Sequence, residues 1–234
     1  GKCLGGSTVI NGGVITETEE NILSIWDKIL NEKFFLTEDF QKICYEIKKT
    51  LVPKNQELDK YLTSATSEIL LEAAKIKNFY STHTNLAFSN LNVKHNSPFG
   101  CFSGSKNSLD KNYHNLIKEL GGKFLSNTKL IKIINRGDII DKITVENNTS
   151  RKKDNIKIKN LILSAGPTQT PKLILQNKLS KFVNELNFHM NLKILCFYDH
   201  EIDSYKSSLL THHIREFSDS GVLFMSSNYI KPLI

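Results

Sequence analysis

Apolar residues return at helical period in four stretches of the chain. Ile22, Ile25, Trp26, Ile29 and Leu30 share one helix face, which predicts that this face is buried. Thr16 and Glu19 precede them at capping-box spacing, hydroxyl and carboxylate placed to satisfy each other's orphan amides. A second helix is predicted over about residues 37–51, ended by Pro53, whose ring cannot continue it. A third covers about residues 66–76. Leu109, Tyr113, Leu116, Ile117 and Leu120 give a fourth, with Gly121 as its C-terminal stop. Residues 79–105 keep no clean period; they hold Asn and Ser clusters, His83, His95 and a Pro98-Phe99-Gly100-Cys101 turn, the mark of a long irregular segment.

The period then changes to that of strands. Leu130-Ile131-Lys132-Ile133-Ile134 and Ile139-Ile140-Asp141-Lys142-Ile143-Thr144-Val145 flank Arg136-Gly137-Asp138, a hairpin signal. Ile156-Lys157-Ile158 leads into Leu161-Ile162-Leu163-Ser164-Ala165-Gly166. The uninterrupted apolar run at 161–163 predicts a strand buried on both faces, as in a parallel sheet. Gly166 and Pro167 break it, and Thr170-Pro171 opens a helix to about Gln176. From about Phe188 the texture turns strand-like again, at 192–198 and 222–225, so a domain boundary is expected near 180–186. No internal repeat is visible.

Composition narrows the class. With 234 residues, 39% apolar and 24% charged, the chain suits one large domain or two small ones rather than disorder or a coiled coil. No apolar run approaches the roughly 18 residues of a membrane helix. The net charge of +7 permits weak attraction to nucleic acid, but the basic residues are scattered. Their densest cluster, Arg151, Lys152, Lys153, Lys157 and Lys159, reads as a solvated turn between strands. Cys3, Cys44, Cys101 and Cys196 lie far apart with no C-x-x-C pair, which leaves zinc-ribbon and thioredoxin readings unsupported. They read as reduced thiols, and a cytoplasmic setting is expected. The sequence opens on Gly1 with no readable leader, and a chain cut from something longer is expected.

Most reactive side chains have bland readings. His189 reads as a half-buried strand histidine, and Cys101 as a small buried residue. His212 and His213 are adjacent, so in a strand they point to opposite faces, poor geometry for one metal. No H-x-x-x-H pair, G-x-S-x-G elbow or base for Ser103 is evident. No catalytic residue and no metal site are expected. The glycines say more. Gly5, Gly6, Gly12 and Gly13 fall within nine residues, marking backbone that turns sharply or lets something approach closely. Gly5-Gly6-Ser7 offers bare amides and a hydroxyl to an anion such as a pyrophosphate. Asn11 beside Gly12-Gly13 suits a flat ring against the main chain. A strand ending in Ala165-Gly166 fits the sheet edge where nucleotides bind. Together these favour a nucleotide-binding α/β domain.

Leu4-Gly5-Gly6-Ser7-Thr8-Val9-Ile10-Asn11-Gly12-Gly13 resembles the flavin-contacting signature of the glucose–methanol–choline (GMC) oxidoreductases. Leu163-Ser164-Ala165-Gly166-Pro167-Thr168-Gln169-Thr170-Pro171-Lys172-Leu173-Ile174-Leu175 resembles that family's second signature. Gly100-Cys101-Phe102-Ser103-Gly104-Ser105-Lys106 is similar to the cysteine loop of the subgroup that includes long-chain alcohol oxidases, with Ser103 where a second cysteine is expected. The three matches keep family order over about residues 1–180.

The resemblance implies a mixed α/β (α+β) fold. Residues 1–183 would be part of an FAD-binding Rossmann-like domain with a helical and irregular insert at 16–105 and a β-hairpin or meander insertion. Residues 184–234 would begin an antiparallel-sheet substrate domain. It implies FAD as cofactor, with Gly5, Gly6 and Ser7 along the pyrophosphate and Asn11 and Gly12 approaching the isoalloxazine. Leu130 would contact adenine through its main chain, and Ala165 and Gly166 would pass close to the nucleotide. It further implies hydride transfer from the CH–OH carbon of a small-molecule alcohol to the flavin. The electron acceptor stays open among oxygen, a quinone and a cytochrome; no nucleic-acid partner and no membrane span are expected. The family's G-x-G-x-x-G opening and C-terminal catalytic histidine match nothing in residues 1–234. The chain is therefore expected to be the middle of a longer enzyme, inactive alone. The alternative is a noncatalytic nucleotide-binding or scaffolding protein derived from the fold.

Overall fold

The computed structural model describes residues 1–52, 64–89, 101, 103–137, 139–180, 185–202 and 210–227. Pro53, His95, the Pro98-Phe99-Gly100 turn, Phe102 and Asp138 lie outside the described residues. The chain divides into two compact units, one of Gly1–Gly122 with Phe197–Ile234 and one of Lys123–Cys196.

The first unit opens with the glycine loop and a four-residue helix α1 (Ser7–Ile10), followed by strand β1 (Val14–Ile15). Helix α2 (Glu20–Leu30) starts later than the capping-box spacing suggests. Its N-cap is Glu19, with no side-chain cap bond. The Glu19 carboxylate is taken by Arg215, 2.9 Å away, so it does not reach back to Thr16. The helix ends on Asn31 in left-handed conformation, which Asn tolerates better than most residues. Both amides of Phe34 and Phe35 donate at 3.0 Å to Asp27 Oδ1. That folds a knot of edge-to-face rings, Trp26, Phe34, Phe35 and Phe40, with centroids 5.2–5.6 Å apart. Helix α3 (Glu38–Leu51) matches its predicted span, and its N-cap Thr37 accepts from the amide of Phe40 at 3.3 Å.

Helix α4 (Ala65–Lys77) is capped by Ser64 and packs on β7 (His212–Ile214). Buried hydroxyls tie it down: Ser64 donates to Ser67 at 2.9 Å, and Ser67 meets Ser226 at 2.7 Å. β7 is the centre of an antiparallel sheet between β2 (Ser81–His83) and β8 (Phe224–Met225). β1 pairs antiparallel with β3 (Asn85–Leu86). Leu86 and Phe88 are fully buried beside Val14 and Cys101, forming a small core directly behind the glycine loop. So the stretch from 79, expected to be irregular, contains two short strands and the Phe88–Lys106 bridge. The fourth expected helix is two, α5 (Leu109–Asn112) and α6 (His114–Glu119), divided at Tyr113.

The second unit is an antiparallel meander of β4 (Thr128–Arg136), β5 (Ile139–Asn147) and β6 (Lys153–Lys157), followed by α7 (Gln169–Gln176). Gly137 turns the expected hairpin at φ 64°. The Asn177 side chain accepts from the Ile133 amide at 2.7 Å and donates to the Leu173 carbonyl, joining the end of α7 to β4.

The mixed α/β character holds, but every strand pairing among the described residues is antiparallel. Residues 161–163, read as a parallel strand buried on both faces, form no strand, and Ile162 is 87% exposed. A strand needs a partner, and an apolar run cannot name one. The same holds for residues 192–198, which are exposed and unpaired among the described residues. His189, just before it, is exposed rather than half-buried.

Candidate functional site

The first unit brings together two sequence signals about 100 residues apart, the glycine loop and the cysteine loop. Gly5 stands at φ 83°, and a Cβ there would lie 2.9 Å from the amide nitrogen of Asp110. The Thr8 hydroxyl donates to the Gly5 carbonyl at 2.6 Å and accepts from the Leu109 amide at 3.1 Å. Asn11 Oδ1 accepts from the Gly13 amide at 3.1 Å. The Gly13 carbonyl accepts from Ala87 at 2.7 Å, and a Cβ on Gly13 would sit 2.7 Å from the Phe88 ring.

The four glycines thus separate by role. Gly5 and Gly13 are glycine because the protein itself presses on them. Gly6 (φ 58°) and Gly12 have nothing within 4 Å of where a Cβ would stand. Their open faces suit a close approach from outside, and Gly12, Asn11 and Ser7 are exposed. Ser7 Oγ accepts from the Gly1 amino group at 3.0 Å.

Lys106 is the residue the motifs did not single out. Its Nζ donates to the Val9 carbonyl at 2.9 Å and to the Asn11 carbonyl. Its backbone amide donates to Cys101 Sγ at 3.3 Å. Burial, the largest cause, pulls its pKa below the ordinary lysine value; nearby Cys101 and Asp110 act against that. Lys111 braces the same loop, its Nζ donating to the Gly104 and Lys106 carbonyls at 2.7 and 3.1 Å. Cys101, expected to be buried, is partly buried, with Ser103 and Ser105 hydroxyls 3.4 and 3.5 Å from its sulfur.

Leu130, Ala165 and Gly166 lie in the second unit. Leu130 is half-buried and pairs with Val145, where the ladder slips before Lys132. The Ala165 amide donates to Thr170 Oγ1 at 2.9 Å, and the Gly166 carbonyl accepts from the Thr170 amide at 3.0 Å. Gly166 holds φ 92° with an open face.

The β7 histidines do point apart. His212 lies against the His83 ring at 4.4 Å and its Nδ1 meets Thr211 Oγ1 at 3.1 Å. His213 is buried between Thr84 and Arg215. The Arg215 guanidinium can only donate, so His213 Nε2 accepts and Nδ1 carries the proton, donating to Thr84 Oγ1 at 2.9 Å. Burial first, then Arg215 and His212, lower its pKa to about 4. Among the described residues no three His, Cys, Asp or Glu side chains converge as metal ligands, and no helix is long and apolar enough to cross a membrane.

A family model described as GMC oxidoreductase matches residues 1–189. The chain is also similar to the "Uncharacterized GMC-type oxidoreductase y4nJ" of Sinorhizobium fredii (strain NBRC 101917 / NGR234), with 20% identity over 221 residues. That match covers 93% of this chain and 43% of the relative, so the chain spans less than half the length of the protein it matches.

Proposed function

Because this chain belongs to the GMC oxidoreductase family, we propose that it is part of an FAD-dependent enzyme oxidising the CH–OH group of a small-molecule alcohol. The observation that carries the reading is Gly12: exposed, open where a Cβ would stand, and on a loop held from behind by Lys106. A position that packing leaves free to carry a side chain, yet is glycine, fits a backbone approached by a ligand.

The residues divide the work of holding the cofactor. Gly5, Gly6 and Ser7 lie along its pyrophosphate, and the Ser7 hydroxyl offers a donor. Asn11 and Gly12 present the main chain to the isoalloxazine. For Leu130, Ala165 and Gly166 the nucleotide roles rest on the family resemblance. Bound FAD would supply the acceptor for the hydride leaving the alcohol carbon. No residue of this chain is proposed as the proton acceptor. Residues up to 183 serve the cofactor in this reading, and those from 184 begin the substrate domain. Four scattered cysteines without a C-x-x-C pair fit a reducing compartment, and the cytoplasm is the proposed location.

The test is made on the protein that contains this chain. Purified, it should show a flavin absorbance band, and Gly12→Ala should lower the flavin-to-protein ratio while leaving the melting temperature of the FAD-free protein unchanged. A wild-type protein that takes up no FAD refutes the reading and favours the noncatalytic alternative; a Gly12→Ala variant that retains FAD fully refutes the role given to Gly12.

A further inference from the structure

Helix α1 has four residues, too few to hold itself together. Its last carbonyls lack partners along the helix, as at any helix end. Lys106 partners one of them, at Val9, and the carbonyl of the C-cap residue Asn11. With only 8% of its surface exposed, it gives two of its three ammonium protons to the carbonyls of Val9 and Asn11. The second of those carbonyls belongs to the peptide that joins Asn11 to Gly12. The donor is itself held: its backbone is bridged to Phe88, its amide bonded to Cys101 Sγ, and its carbonyl bonded to Lys111 Nζ. A chain of contacts therefore runs from the core at Phe88 to the open face of Gly12.

We propose that Lys106 is a positioning residue that fixes the Asn11-Gly12 backbone in the conformation that receives the flavin. The proposal rests on the FAD reading above. Lys106 acts through the loop: its ammonium is spent on the two carbonyls behind the open glycine face, so it orders the backbone that meets the cofactor. Charged donors give the stronger class of hydrogen bond, and a neutral side chain of similar length, such as Met, removes the donor to both partly buried carbonyls. Arginine keeps the charge and several donors, and so restores the tie in part.

The experiment uses the complete protein, with Lys106→Met and Lys106→Arg. FAD release is followed by the return of flavin fluorescence, and amide hydrogen exchange at Gly12 and Gly13 is followed in the FAD-free form. Lys106→Met removes both charged hydrogen bonds and should release FAD about tenfold faster, as the Asn11-Gly12 backbone loses its charged anchor, and should speed exchange at both glycines. Lys106→Arg should recover most of each. Should the Met variant fail to fold, Lys106→Gln, which is uncharged and one atom shorter but keeps an amide donor, takes its place with changes in the same direction and of smaller size. A wild type that binds FAD, beside a variant with unchanged release and unchanged exchange, overturns the role of Lys106 alone. A wild type that binds no FAD overturns the flavin reading, and the proposal falls with it.

Discussion

Acid should destabilise the first unit through His213. The side chain is 3% exposed, accepts from Arg215 at Nε2 and donates to Thr84 at Nδ1. A second ring proton would have to displace the Arg215 guanidinium. Its folded pKa is about 4, against 6.5 for the free side chain. Between those values the unfolded chain binds a proton that the folded chain refuses. Unfolding then takes up a proton, so stability is intact above about pH 6.5 and falls as the pH drops toward 4. From 6.5 to about 4, at about 1.4 kcal/mol per pH unit, the full loss is about 3 kcal/mol. About 2 kcal/mol of it is gone by pH 5, before most carboxylates titrate. Urea midpoints at pH 8, 7, 6 and 5 measure it, with His213→Gln as the comparison. Gln retains an acceptor and a donor without the titration, so its stability should change much less from pH 7 to 5. Parallel pH profiles for the two proteins would refute the reasoning.

Four further outcomes are expected. Gly13→Ala should cost about 2 kcal/mol or more in a melt, since φ 74° strains any side chain and its Cβ would press on Phe88 at 2.7 Å. Melted without FAD, Gly12→Ala should match the wild-type temperature, and a matching loss in both variants would sink the division of the glycines. Thr37→Ala removes the acceptor for the Phe40 amide and should cost about 1 kcal/mol, read by urea unfolding. Residues 1–234 prepared by themselves should bind a hydrophobic dye such as ANS, because Phe188, Leu192 and Ile194 are 74%, 88% and 69% exposed; no dye fluorescence would show those residues covered.

Local signals in the sequence survived into the structure. Thr37 caps α3 as Ser, Thr, Asp and Asn commonly do, and the period of its apolar face sets its length. The β4–β5 hairpin follows from Gly137 between two alternating runs. Signals that depended on a distant residue did not. Glu19 left the capping box because Arg215 competes for its carboxylate across nearly the whole chain. The β2–β7 pairing joins Ser81 to Ile214, and neither three-residue strand is long enough to show a period. The run at 161–163 has the composition of a buried strand, but burial is a property of neighbours.

The glycine loop shows why the candidate site was only half legible. Glycine is used for room inside the protein, for room outside it and for backbone conformation, and a sequence writes all three with one letter. Gly13 and Gly5 are of the first kind: their missing side chains make space for Phe88 and Asp110. Gly12 is of the second kind, with open space where a side chain would go, whereas Gly6 has open space but also a φ of 58° that itself calls for glycine. The family signature covers all four alike, so it marks where the loop lies but not which backbone atoms a ligand can reach. Lys106 was hidden for the complementary reason. A lysine in a polar loop reads as solvated, and only the fold carries its ammonium to carbonyls 95 and 97 residues away. The part of the site that meets a ligand and the part that holds it in shape therefore come from different loops, and chemistry placed on the first is tested most directly by changing the second.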